Sequence, residues 1–184
     1  VVITLEDSVF SAPGTPVYIN VPGQLNMDRC QLTGATQGMF VRGGDAVIKD
    51  SSIINTWSDP TLANYKHNEN WGSGNNLPIA ALTVGNRSTS YNYPCSVTLE
   101  NTTLQAAGPY PEIYLYQMDE AGRQVTMDIV SSGSYGVLDI NHANPNGITA
   151  NISITGGTFS TKPSADYIAS GYEAKENTPA EGLW

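Results

Sequence analysis

The sequence predicts an all-β chain whose short strands stack as the rungs of a parallel β-helix. Three observations carry that expectation. One phrase, apolar-x-apolar followed by a polar turn pair and another apolar residue, recurs as ITLEDSVF (3–10), AVIKDSSI (46–53), VTLENTTL (97–104) and ISITGGTF (152–159). A second family of alternating strands lies between the copies, always in the same order. Gly, Pro, Asn and Asp punctuate the boundaries, as turns require. A single unit of this kind cannot bury its apolar face, but stacked units can, because each strand then pairs with its counterpart about 4.8 Å above and below. A β-sandwich also uses many short strands, yet it gives no reason for one phrase to return between the same partners.

The elements follow in order. The first unit has Ile3, Leu5 and Phe10 pointing inward, then Val17-Tyr18-Ile19. The second has Leu25, Met27 and Leu32, then Met39-Phe40-Val41. The third has Ala46, Ile48 and Ile53, then Leu82-Thr83-Val84. The fourth has Val97, Leu99 and Leu104, then Ile113-Tyr114-Leu115. A partial copy begins at Val125 and Met127 and is followed by Val137-Leu138-Asp139-Ile140; the last copy has Ile152, Ile154 and Phe159. A unit of about 22 residues with insertions accounts for these intervals, giving five to six rungs over 1–160. Residues 161–184 form the expected cap: Pro163 and Ser164 begin a short helix, Gly171 stops it, and Tyr167, Ile168, Tyr172, Leu183 and Trp184 cover the last rung. The whole of 1–184 reads as one domain. Its opening residue, Val1, already falls in a strand pattern, so the chain is expected to be a piece of a larger protein.

The phrases LENTTL, IKDSSI and ITGGTFSTKPSADYIASGYEA resemble the pectin-lyase-like right-handed β-helix modules of large gut-bacterial cell-surface proteins. The resemblance spans nearly the whole chain and is best over 152–174. It implies a right-handed coil in a secreted or cell-surface setting, in a module of the non-catalytic type; its turn motif is specific for the architecture and almost silent on activity.

Composition narrows the classes further. The 184 residues carry a net charge of −9, with 8 Lys plus Arg against 17 Asp plus Glu. No basic patch exists for a nucleic-acid backbone, and no apolar run is long enough to span a membrane. Pectin-degrading enzymes of this architecture need convergent carboxylates, or a base beside calcium. The forms Asp-Asp and Gly-His-Gly are absent, and Lys49, Lys66, Arg87 and Arg123 are scattered. His67 and His142 lie in different rungs, and zinc would want further ligands. Phosphate-loop and dinucleotide fingerprints are also missing, so no cofactor is expected. Glu100 and Asp128 are expected as adjacent like charges on the outer face. They are a weak calcium candidate, since two carboxylates fall short of the six to eight oxygens calcium takes. Lys49 is expected between Asp28 and Glu100. Cys30 and Cys95 fall two rungs apart, beyond the reach of a bridge, and are expected as free thiols.

The insertions hold the candidate ligand site. Segments 55–76, 86–95 and 105–112 interrupt neighbouring corners and gather Trp57, Tyr65, His67, Trp71, Arg87, Tyr91, Tyr93 and Tyr110. Exposed aromatic faces beside polar groups suit sugar rings. The same aromatics would also serve to pack a long loop inward, and both readings stand on sequence alone. Three functions are therefore expected in order: a glycan- or host-ligand-binding surface module, a polysaccharide lyase or glycoside hydrolase with unfamiliar catalytic groups, and a plain spacer in a surface or phage-tail fibre.

Overall fold

Alternating Val, Ile, Leu and Thr favour extended backbone, and each strand here is too short to stand alone. In a computed structural model, described over residues 1–60, 78–85, 93–116, 125–141, 151–176 and 183–184, these strands pair in parallel into a nine-stranded and a six-stranded sheet. The fold is all-β; no α-helix occurs among the described residues, and none of their helical structure is long and apolar enough to cross a membrane.

In chain order the strands are β1 (Val2–Glu6), β2 (Val9–Ala12), β3 (Val17–Asp28), β4 (Gln31–Gly34), β5 (Gln37–Lys49), β6 (Ser52–Asn55), β7 (Ala80–Val84), β8 (Cys95–Glu100), β9 (Thr103–Gln105), β10 (Ile113–Tyr116), β11 (Val125–Val130), β12 (Ser134–Gly136), β13 (Leu138–Asn141), β14 (Asn151–Ile154) and β15 (Thr158–Phe159). They form three ladders. One ladder joins β1, the second half of β3, the second half of β5, β8, β11 and β14. A second joins the first halves of β3 and β5 to β7, β10 and β13. The third is the six-stranded sheet of β2, β4, β6, β9, β12 and β15. The long strands β3 and β5 thus turn one corner without a break. Gly44 makes that corner at φ +81°, lying so close to Gly23 that a Cβ would collide with its backbone.

The register places the repeated phrase in columns. Ile3, Leu25, Ala46, Val97, Met127 and Ile152 stack, as do Leu5, Met27, Ile48, Leu99, Ile129 and Ile154. Facing them are Phe10, Leu32, Ile53 and Leu104 from the six-stranded sheet, and Val17, Met39, Leu82, Ile113 and Leu138 from the other arm. All of them but Ile3, which is 52% exposed, belong to one continuous core or pack against it. Burial of each such side chain is worth about 1.5–3 kcal/mol.

The fifth copy departs from the sequence expectation. Met127, not Val125, pairs with Val97, so that copy sits two residues later than the phrase suggests. Consequently Asp128 lies beside Thr98 and Ser153, while Glu100 pairs with Val130. Glu100 and Asp128 are therefore not neighbours in register. The expected position of Lys49 holds: it pairs with Asp28 and Glu100 and bonds Glu100 at 2.7 Å.

A second regularity lies at the turn pair. Asp7, Arg29, Asp50, Asn101 and Ser131 all adopt left-handed backbone, with φ between 46° and 64°. Each follows the first inward residue of its copy by four positions. A non-glycine residue there costs about 1–2 kcal/mol, least for Asn and Asp. The ladder offsets this with hydrogen bonds across the corner: Arg29 N–H donates to Lys49 C=O at 3.2 Å and Ser52 N–H to Cys30 C=O at 2.9 Å. Side chains stack there too, with Arg29 Nε donating to Asp7 at 2.7 Å and Asn101 Nδ2 to Asp50 at 2.5 Å.

The cap also differs in detail. Instead of an α-helix, a 3₁₀ turn spans Ala165–Tyr167, with Ser164 as its N-cap. Ile168 then bridges to Ile154, and Ala169 N–H donates to Ile154 C=O at 3.0 Å, covering the free edge of β14. Trp184 does the same for β15, exchanging two backbone hydrogen bonds with Phe159. Tyr167 and Trp184 pack on the core, whereas Tyr172 does not cover it and is 57% exposed. Both cysteines are buried and free.

Candidate functional site

Along the arm of Val17–Ile19, the residues between the inward ones should face solvent by strand alternation. The outward column there is Tyr18, Phe40, Thr83, Tyr114 and Asp139. It is mostly buried. Phe40, Ala80, Tyr114 and Tyr116 form a second hydrophobic cluster outside the main core, and Arg42 is buried beside it. Sequence reasoning placed these aromatics on strands but passed over Arg42 and over the second cluster. The available signal was the density of Tyr and Phe at outward positions, where Thr, Glu or Asp stand on the neighbouring ladder.

At the edge of this cluster the surface opens. The Tyr18 ring stacks on Phe40 with centroids 5.0 Å apart and planes 3° from parallel, and Tyr18 is 42% exposed. Arg42 Nη1 donates to the Tyr18 hydroxyl at 3.0 Å. That bond fixes the ring from its polar end while Phe40 fixes it from beneath. Tyr93, 41% exposed, stands near the same corner: a Cβ on Gly43 would lie 3.6 Å from Tyr93 Cβ. Val21, also exposed, reaches the same glycine through its backbone. Since Tyr18 precedes Asn20, the register partner of Gly43, by two residues, the two tyrosines lie about 7 Å apart along the strand direction. The arrangement offers two phenolic rings, an aliphatic side chain and a buried guanidinium on a rigid sheet. Its electrostatic influence reaches inward. Cys95, on β8, has its thiol pushed up to about 12, chiefly by burial and partly offset by a backbone hydrogen bond and by Arg42.

The other expected ligand residues divide. Trp57 is half-buried, its N–H donating from the backbone to Ala35 C=O at 2.9 Å. Its indole Nε1 is buried without a partner among the described residues. Tyr110 is only 7% exposed, and its hydroxyl donates to the Asp59 carbonyl. Ala107 N–H bonds Asn55 Oδ1 at 3.0 Å, and Gly108 backs onto Ser58. Tyr110 and Asn55 therefore help to lash the 105–112 corner to the start of the longest insertion, while Trp57 is tied by its backbone to Ala35. Tyr65, His67, Trp71, Arg87 and Tyr91 lie outside the described residues, as do His142 and most of the insertions themselves. Among the described residues no three His, Cys, Asp or Glu side chains cluster as metal ligands do.

The outer carboxylates of the main ladder have partners of their own. Arg29 bonds both Asp7 and Asp28, holding the Asp7 carboxyl below its ordinary range through that hydrogen bond. Glu100 is taken by Lys49, whose own pKa is raised by the same bond. Compared with protein-family models, curated proteins and solved structures, the chain matches none of them.

Proposed function

We propose that this chain is a right-handed parallel β-helix of the pectin-lyase-like kind, working as a non-catalytic, carbohydrate-binding module at a bacterial cell surface. The continuous inward columns and the constant spacing of the left-handed corner support the coiled reading. The hand follows from the rule that parallel crossover connections are right-handed in nearly all sheets.

One observation carries the binding reading: Tyr18 and Tyr93 are exposed on a base that cannot yield. Stacked on Phe40 and bonded to Arg42, Tyr18 loses little side-chain freedom when a ligand arrives, which is where rigid aromatic contacts gain affinity. A pyranose presents a C–H face to such rings and hydroxyls to polar neighbours. Neutralised outer carboxylates, such as Asp7 and Glu100, suit a ladder that supports rather than reacts.

A glycan-array screen tests this reading. The wild-type chain should bind a defined set of glycans, and a Tyr18→Ala/Tyr93→Ala variant with unchanged circular dichroism should lose that set. Glycan binding that survives in the variant, or silence of the folded wild-type chain across the array, would remove the proposal.

A further inference from the structure

The last rung ends in a cleft of about 510 Å³, within the range of small-ligand sites. Its floor is the end of the core, Ile154 and Phe159, with Ile168, Pro163 and Trp184 on its walls; Tyr172, Glu173, Lys175 and Glu176 make the rim. Lys162 covers a face of the Trp184 ring at 4.6 Å without lining the cleft. The Glu173 and Lys175 side chains are joined at 2.6 Å.

The ladder explains why polar chemistry is present on this floor. At the first three corners one N–H points toward the next rung: those of Asp7, Arg29 and Asp50 donate to the carbonyls of Asp28, Lys49 and Glu100. At the first four corners one carbonyl points the same way: those of Ser8, Cys30, Ser51 and Thr102 accept from Gln31, Ser52, Thr103 and Ser134. The same positions on the last rung are Gly156 and Gly157, with Gly157 now the left-handed residue at φ 102°; both line the cleft, and Gly156 N–H and Gly157 C=O have no partner among the described residues. Gly156 seats directly against Ser131, the left-handed residue of the rung before it. Among the described residues, the cap covers the strand edges β14 and β15 on either side and none covers this corner.

We infer that the cleft is a second ligand site, shaped for a single saccharide residue. Its occupant must combine an apolar face with donors and acceptors on its edge. It rests its ring against Trp184 and Phe159, and its hydroxyls meet Gly156 N–H, Gly157 C=O and the Glu173–Lys175 pair. A purely apolar ligand would leave the corner groups unpaired, and a multiply charged one would meet both signs on the rim. The site uses no residue of the Tyr18–Tyr93 surface and stands or falls independently of it.

The test is a ¹⁵N-correlation NMR titration with the methyl glycosides of glucose, galactose, mannose and N-acetylglucosamine. At least one should shift the Gly156 amide and the Trp184 indole resonances together, saturating at about millimolar concentration, as weak single-ring ligands do. Tyr172→Ala, an exposed change that leaves the core intact, should weaken that titration by about five-fold, and Glu173→Gln/Glu176→Gln should weaken it as well. Tyr18→Ala/Tyr93→Ala should leave it unchanged. Failure of every glycoside to move Gly156 overturns the inference. So does a shift that disappears with Tyr18→Ala/Tyr93→Ala and persists in Tyr172→Ala, an outcome that leaves the first surface standing and removes the second.

Discussion

Ser51→Ala isolates the contribution of one corner to the stack. The Ser51 hydroxyl accepts from the Cys30 N–H at 3.0 Å and donates to its own strand's Lys49 carbonyl at 2.5 Å, and it is buried. It therefore ties two successive rungs together from inside the corner. Alanine leaves the Cys30 N–H buried with no acceptor, which costs about 1–3 kcal/mol. For a chain of this size that lowers Tm by roughly 3–10 °C. Ser8 holds the equivalent place one rung before Cys30, but its hydroxyl bonds only its own strand's Glu6 carbonyl and is exposed. Ser8→Ala should change stability by less than about 0.5 kcal/mol. Ser51→Thr, which keeps the hydroxyl as Thr102 does on the next rung, should recover most of the loss. Urea unfolding of the three variants beside wild type decides the matter. Equal effects of Ser51→Ala and Ser8→Ala would refute the inter-rung role of the hydroxyl.

Three further outcomes follow from the same geometry. Gly44→Ala forces a side chain into left-handed backbone against Gly23 and should destabilise by about 2 kcal/mol or more, whereas Ser131→Gly, at φ 64°, should be neutral or stabilising by up to about 1 kcal/mol; chemical unfolding measures both. Stability should fall in alkali. The Cys95 thiol is raised from 9.0 to about 12 in the fold by burial, so its contribution is complete below the unfolded value and is lost as pH climbs through that window, by up to about 1.4 kcal/mol per unit. Cys95→Ala should flatten that part of the pH profile of unfolding. For the same reason a thiol reagent at pH 8 should modify Cys95 only as fast as the chain unfolds, and one fast equivalent assigned to Cys95 would contradict its burial. Tyr110→Phe should cost about 0.5–1.5 kcal/mol by removing the bond to Asp59 and leave glycan binding unchanged, which calorimetric titration checks.

The repeat made most of the fold legible before any coordinates. Every strand of the Val17 arm sits in the register that alternation and order predict, with Val17, Met39, Leu82, Ile113 and Leu138 in one column. The slip at β11 has a clear cause. Val125-Thr-Met-Asp-Ile-Val alternates throughout, so a shift by two residues keeps every side chain on its proper face, and only the corner distinguishes the choices. In the first five copies the left-handed residue is four positions after the first inward residue, as Ser131 is after Met127. Serine at that position, in place of Asp or Asn, hid the signal.

The candidate surface was half legible. Tyr93 was named for its place in an insertion, and its exposure bears on that choice. Tyr18 was passed over because a tyrosine within a strand carries no mark of a platform until its neighbours are known. Its ring is held by Phe40 22 residues on and by Arg42 24 residues on, contacts that exist only once the rungs are stacked. Tyr110 read as a loop aromatic and proved to be a post under Asp59, since alternation says nothing about which corner packs against which.

Both proposed surfaces are placed by the register of the ladders. Pairs of outward cysteines test it most directly. Thr98 and Asp128 are register partners on adjacent strands, at a separation of about 4.8 Å that falls within disulfide reach, whereas Glu100 lies two residues further along. Thr98→Cys/Asp128→Cys should oxidise in the folded state to an intramolecular bridge, detected by mass under non-reducing conditions, while Glu100→Cys/Asp128→Cys should remain reduced. Ready bridging of the second pair and not the first would shift the fifth rung by two residues and contradict the stack described above.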